Sequence, residues 1–164
     1  MTRLHFDENG YLRPYEVIPA TVQVLEEFFV NTFPFSERRR WLFENYLAFV
    51  STMQSDVFPY FVQWVNGSFV TQKEEPKDID ILTFLDYRVY KAKSEEMERF
   101  WSFNLESKGL DNYFVADYPP EHELHALTLE NQTKWQKLYT HTRPQEDGTI
   151  LPKGFLELTF EKEI

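Results

Sequence analysis

Apolar and polar positions alternate in short blocks along the chain, and the period of the alternation changes from block to block. At residues 60–66, "YFVQWVN" is rich in aromatic and β-branched residues, the composition of a strand. "DIDILTF" at 78–84, "DNYFVAD" at 111–117 and "GFLELTF" at 154–160 read the same way. Between them the spacing shifts to a helical repeat. Thr21 is placed to cap a short helix to residue 30, striped by Val22, Leu25, Phe28 and Phe29. Ser36 precedes a longer one, in which Trp41, Leu42, Leu47, Phe49 and Val50 recur out to Met53, ahead of the break at Pro59. "SEEMERFWSFNLES" predicts an amphipathic helix over 94–107, capped by Ser94 and ended by Lys108-Gly109. "TLENQTKWQKLYTH" predicts another over 128–141 with Thr128 as its cap, and Glu8-Asn9-Gly10 marks a turn in the N-terminal arm.

Helices interleaved with short strands predict an α+β (α/β-type) fold, a small mixed sheet flanked by helices. No repeat, linker or low-complexity tract divides the 164 residues, so one domain over 1–164 is expected. Within it, an N-terminal arm and helices reach residue 57 and a sheet-containing core follows from 58. With 42% hydrophobic and 18% aromatic residues the chain can build a packed core. A formal net charge of -10 argues against a general grip on nucleic-acid phosphates, leaving a local patch or a metal as the route to a polyanion. There is no cysteine, hence no disulfide and no thiolate metal site. The first residues lack the basic-then-apolar order of a signal peptide, and no apolar run is long enough to span a bilayer. The expectation is a cytoplasmic protein with no membrane association, in which the N-x-Ser/Thr matches at Asn66 and Asn131 arise by chance.

The chemistry-bearing stretch is "WVNGSFVTQKEEPKDIDI". Asn-Gly between apolar runs is a hairpin signal, but a tight hairpin resumes its partner strand at once. Here residues 72–77 are all polar or Pro, too long a connection for an ordinary hairpin. Asp78 and Asp80 lie two apart, so both carboxylates leave one face of a strand while Ile79 enters the core. Two such like charges repel unless a cation sits between them, and hard divalent cations take carboxylate oxygens. Gly67 lets backbone approach a phosphate closely, and a short helix starting at Ser68 would add N–H groups and a hydroxyl.

Gly67-Ser68, the nine residues 69–77, and Asp78-Ile79-Asp80 together resemble the hallmark of the polymerase-β-like nucleotidyltransferase superfamily, in its minimal form. "RRRWLF", "DNYFVADYPPEHEL" and "PKGFLEL" also resemble a small prokaryotic family, largely uncharacterised, grouped with those enzymes. The resemblance implies a nucleotidyltransferase-like fold and transfer of a nucleoside monophosphate from a nucleoside triphosphate to an acceptor hydroxyl. It implies Mg2+ (or Mn2+) held by Asp78 and Asp80, and phosphates met by Gly67 and Ser68, with Lys73 and Lys77 in the loop. A third carboxylate on a neighbouring strand would complete the metal site and deprotonate the acceptor. Asp111 and Asp117 share one strand face at opposite ends; Asp111, at the strand start, is the position the resemblance favours, with Asp117 as substitute. The acceptor is left open among protein, tRNA and small molecule. The chain departs from many small members in having Val70 and Thr71 where a further Gly or Ala is common, and in a loop without Arg. Those departures support a second reading, a weak or inactive nucleotidyltransferase-like binding protein. It would partner an effector in a toxin–antitoxin or phage-defence system.

Other candidates have plainer readings. His122 and His125 in "PPEHELH" match no zinc spacing and read as a surface turn. Arg38, Arg39 and Arg40 read as a solvated basic face that could meet a nucleic-acid or protein partner. Trp41, Trp64, Trp101 and Trp135 each lie in an apolar periodic stretch and read as core. Lys153 is a candidate for triphosphate contact by charge alone.

Overall fold

Five strands of mixed direction form the centre of the molecule, in the order β3-β7-β4-β5-β6. They are β3 (Val17–Pro19), β4 (Tyr60–Asn66), β5 (Ile79–Asp86), β6 (Leu110–Asp117) and β7 (Phe155–Glu161). A computed structural model describes residues 3–56 and 58–162, with the side chain of Asp56 left aside; the boundary expected at residue 57 lies outside them. β3 runs parallel to β7 and β5 parallel to β6, while β4 is antiparallel to both β5 and β7. A two-stranded ribbon, β1 (His5–Phe6) and β2 (Leu12–Arg13), stands beside the sheet. The architecture is the small mixed α+β sheet with flanking helices that the pattern predicts. β3 shows that the N-terminal segment also feeds the sheet.

Helix placement follows the side-chain alternation of the strands. Ile79, Ile81 and Leu85 face a large core that takes in Leu42, Tyr46 and Val50 from α2 (Glu37–Asp56). Leu82 and Phe84 face the other way, into a smaller cluster with Trp64, Val115 and Phe155 that is closed by Tyr139 of α6 (His125–Tyr139). Asp80 and Asp111 share the parity of this second face, and so lie on the α6 side. Among the described residues no helix is long and apolar enough to cross a membrane.

On the α2 side a chain of buried polar groups crosses β4, β5 and β6. Tyr46 Oη donates to Gln63 Oε1 (2.8 Å) and Gln63 Nε2 donates to Thr83 Oγ1 (3.0 Å). Thr83 Oγ1 donates in turn to Asn112 Oδ1 (2.7 Å), and Asn112 Nδ2 reaches the Phe100 carbonyl (2.7 Å). Each member has a partner, so the row costs little to bury and penalises any other register.

Several caps and stops are as the sequence predicts. Thr21 accepts from the Val24 N–H at the start of α1 (Val22–Glu26), which continues through a wider turn to Asn31. Ser36 Oγ accepts from the Arg39 N–H, and Gly109 ends its segment in the left-handed region at φ 68°. Other expectations are corrected. The helix predicted over 94–107 is broken: α4 (Ser94–Met97) and α5 (Ser102–Leu105) are separated at Trp101, whose backbone is extended (φ -76°, ψ 153°). Tertiary packing overrides helical periodicity there, because Trp101 stands edge-on to Phe114 while the Phe100 carbonyl is taken by Asn112. Ser94 is no cap, since α3 (Tyr87–Ala92) leads almost directly into α4; α3 itself is capped by Asp86. Thr128 lies buried inside α6, its hydroxyl accepting from the Tyr118 N–H. Trp64 is core, but Trp41 is 38% exposed beneath the Arg38 guanidinium.

The largest correction is Arg39. It is fully buried and carries no ion pair among the described residues. Its Nη1 donates to the carbonyls of Phe29 (2.8 Å) and Phe69 (2.7 Å). Nη2 donates to those of Thr71 (2.8 Å) and Lys73, and Nε to Lys73 (3.1 Å). All five N–H donors are thereby matched. Arg38 holds the Pro76 and Lys77 carbonyls, and Arg40 pairs with Glu26 at 2.9 Å. Arg38 and Arg39 therefore clamp the loop between Ser68 and Asp78, and of the triplet only Arg40 stays on an exposed face, paired there with Glu26 and Asn31. Burial lowers the Arg39 pKa to about 10, with Glu74 and Glu75 opposing the shift, so it stays cationic at neutral pH.

Two stability experiments follow. Arg39→Met should destabilise by at least about 3 kcal/mol in urea unfolding, because several buried carbonyls lose their donor, with Arg39→Lys intermediate. Thr83→Val strands the Gln63 amide and the Asn112 carbonyl oxygen. It should cost about 1–3 kcal/mol, read as a Tm lower by several degrees.

Candidate functional site

The strand registers bring three oxygen-bearing side chains into one row. Asn66 of β4 pairs with Asp80 of β5, and Asp80 pairs with Asp111 of β6. Asp78 precedes β5 and lines the same cleft. The cleft is about 1720 Å3 and open to solvent; its floor includes Asn66, Gly67, Ser68, Asp80 and Asp111. One side is formed by the β1–β2 turn and the loop, tied together where the Gln72 N–H meets the Gly10 carbonyl (2.8 Å). The other side is α6 and the segment after it.

Gly67 is shaped by this arrangement. Its φ of 83° is in the left-handed region, and a Cβ there would stand 2.0 Å from Asp80 Oδ2. Only glycine lets the Asp80 carboxylate lie against the backbone at the entry to the turn. The turn that follows is a short helix, Ser68–Val70, as expected. Lys73 and Lys77 line the cleft from the loop.

The electrostatics are those of crowded acids. Asp80 is pushed up to about 6, first by burial, then by the charges of Asp78 and Asp111, with Lys153 opposing. Asp111 Oδ1 accepts from the Ser102 hydroxyl at 2.5 Å, a contact the break at Trp101 makes available. Lys153 is pulled down by its own burial, a shift that Asp80 opposes and Arg143 reinforces. Asn66 is only 5% exposed, and its Oδ1 has no hydrogen-bond partner among the described residues. A buried amide oxygen without a donor is costly, and it adds one more oxygen beside the carboxylates, the donor type hard divalent cations take. The acids are not preset as a closed cage. Among the described residues no three His, Cys, Asp or Glu groups stand at metal-ligand spacing, and Asp111 is hydrogen-bonded to Ser102.

Of the residues singled out from the sequence, Gly67, Ser68, Lys73, Lys77, Asp78, Asp80, Asp111 and Lys153 line this one cleft. Asp117 does not. It pairs with Asp86 at the opposite end of β5 and β6, where burial and the Asp86 charge raise its pKa. His122 and His125 are structural: Nδ1 of His122 accepts from the Leu124 N–H (3.0 Å), and His125 Nδ1 meets the Tyr118 carbonyl (2.7 Å). Asn66 and Ser102 escaped the sequence reading. The only signal for Asn66 was its place before Gly67, and Ser102 carried none, because it lay mid-helix in the predicted pattern.

Comparison with curated proteins and with solved structures finds no match. A model of a family of unknown function, DUF6932, matches residues 4–159, and the chain belongs to that family.

Proposed function

We propose that the protein is a metal-dependent nucleotidyltransferase that moves a nucleoside monophosphate from a nucleoside triphosphate to an acceptor hydroxyl. The supporting observation is the meeting of Asp78, Asp80 and Asp111 with the Gly67-Ser68 turn and the partnerless Asn66 oxygen in one cleft. Mg2+ or Mn2+, held by Asp78, Asp80 and Asp111, would neutralise charge gathering on the phosphoryl oxygens.

The chain's own residues divide the remaining work. The Ser68 hydroxyl and the backbone at Gly67 receive the phosphates, with Lys73 and Lys77 adding positive charge from the loop that Arg39 holds. Asp111 accepts the proton of the acceptor hydroxyl, and Ser102 orients its carboxylate. The new bond joins the acceptor oxygen to the α-phosphorus, the bond from that phosphorus to the bridging oxygen breaks, and pyrophosphate leaves. A cytoplasmic location, where triphosphates are plentiful, belongs to the same reading. The loop's lack of Arg keeps the second reading in view, a nucleotidyltransferase-like binding protein paired with an effector.

The test is incubation with each α-labelled triphosphate, Mg2+ and a cell lysate, followed by identification of what becomes labelled. Asp78→Ala and Asp80→Ala should each lower labelling by about 100-fold or more while the far-UV spectrum is retained. Full labelling by both variants would overturn the assignment. Absence of triphosphate binding in calorimetry would favour the effector-partner reading.

Asp80 also carries a stability cost. Its folded pKa is raised above the ordinary carboxylate value, so its favourable contribution is complete below about pH 4 and is lost as pH rises through about 6. In EDTA at pH 8, Asp80→Asn should therefore melt a few degrees above the natural chain, and the gap should close by pH 4.

A further inference from the structure

The cleft has positive charge on two separated sides. Ser68, Lys73 and Lys77 stand on the loop side, and the proposed triphosphate accounts for them. Across the carboxylate floor, the charged residues that line the cleft between 125 and 153 are Lys134, Lys137, Arg143 and Lys153, with His141 and no acid. Glu130, Glu146 and Asp147 belong to the same stretch of chain but do not line it.

This concentration runs against the composition, in which Asp and Glu outnumber Lys and Arg by 27 to 17. Even so, Lys134, Lys137 and Arg143 are exposed, and none forms an ion pair among the described residues. Lys134, Lys137 and Leu138 recur at the spacing of one helix face, a stripe about 6 Å long, and His141 follows just beyond the helix end. Beside it lies an aromatic surface. Tyr113, 43% exposed on β6 two residues beyond Asp111, stands 6.3 Å from the ring of Trp135. Leu138 and Ile150, both more than half exposed, continue the apolar part of the wall.

A single triphosphate carries one phosphate tail and cannot occupy both sides of the floor. The cleft also exceeds the 300–1,000 Å3 or so of a usual small-molecule pocket. Unneutralised cations beside the exposed Tyr113 ring and the half-buried Trp135 match one ligand chemistry well: a phosphate backbone tracked by Lys and Arg, with a base stacked on a ring. An acidic peptide would satisfy the cations and leave the rings unused.

We propose that the α6 wall binds a single-stranded polynucleotide, whose terminal hydroxyl is the acceptor presented to Asp111. This rests on the transferase reading for its purpose, though binding itself can be measured without catalysis.

The experiment is fluorescence anisotropy of the full chain with a labelled single-stranded RNA dodecamer and the same sequence as DNA, in EDTA and without triphosphate. Saturable binding is expected with at least one of them, and the pair identifies which sugar is preferred. The logarithm of affinity should fall against the logarithm of salt with a slope of about -2 to -3, from three or four phosphate contacts. Lys134→Ala/Lys137→Ala should weaken binding at least about 10-fold, and Tyr113→Ala by roughly 5-fold or more. Arg88→Ala, at the far end of the sheet, should change nothing. Asp80→Asn should lose labelling yet still bind the strand, whereas a natural chain that binds the strand but labels nothing would sink the transferase reading alone. Equal affinity for a polyglutamate peptide of matched charge, no binding of either strand, or α6 variants that bind undiminished would each overturn the proposal.

Discussion

The site depends on the register of β4, β5 and β6, and that register is held from the opposite face of the sheet. The hydrogen-bonded row from Tyr46 through Gln63, Thr83 and Asn112 to the Phe100 carbonyl threads all three strands. A slip of one residue would turn every side chain of a strand to the other face and carry Asp80 or Asp111 into the α2 core. Apolar packing alone discriminates weakly here, because β5 is buried along both faces from Ile81 to Leu85. A fully satisfied polar row supplies the missing discrimination, since each alternative leaves a buried donor or acceptor without a partner. The carboxylate cluster on one face is thus positioned by neutral polar groups on the other.

A second buried polar device holds the loop. Arg39 places a charge in the interior and balances it with four backbone carbonyls and two aromatic faces, Phe33 at 3.9 Å and Phe69 at 5.2 Å. Burying a charge without a carboxylate partner is expensive unless every donor is matched, and the planar fork of guanidinium is suited to that. With these carbonyls drawn toward α2, the polar side chains of the loop are left for the cleft. The two acids that follow Lys73 temper the buried cation from outside.

The elements that sequence reading recovered are those whose cause is local. Thr21 and Ser36 cap because a hydroxyl three residues before a free N–H is enough. The strands from β4 to β7 follow from runs of branched and aromatic residues, and the candidate acids follow from their parity on those strands. What escaped was decided by contacts distant in the chain. Nothing near Trp101 announces that its helix will be interrupted by packing against β6. Arg39 looks like Arg40 in sequence, yet it meets carbonyls 30 to 34 residues away. Choosing between Asp111 and Asp117 needed the parallel register of β5 and β6, which a single strand does not contain. The Asn66 oxygen was invisible for the complementary reason, because a missing partner can be recognised only once all neighbours are placed.

The position of β7 has a further consequence for how the molecule comes into being. It is the last of the five strands in chain order, yet it lies between β3 and β4, hydrogen-bonded to both. A nascent chain holding β4, β5 and β6 therefore has an open, apolar edge where Leu156, Leu158 and Phe160 will later dock. Until that insertion, β3 has nothing to pair with, and the ribbon and first helices are held by α2 and by the loop after β4. Such edges recruit other strands, and late closure over long sequence separation is slow. Biogenesis therefore places a demand on this protein that its compact folded form conceals: the middle of the sheet must be kept from foreign partners while its own final strand is still being made.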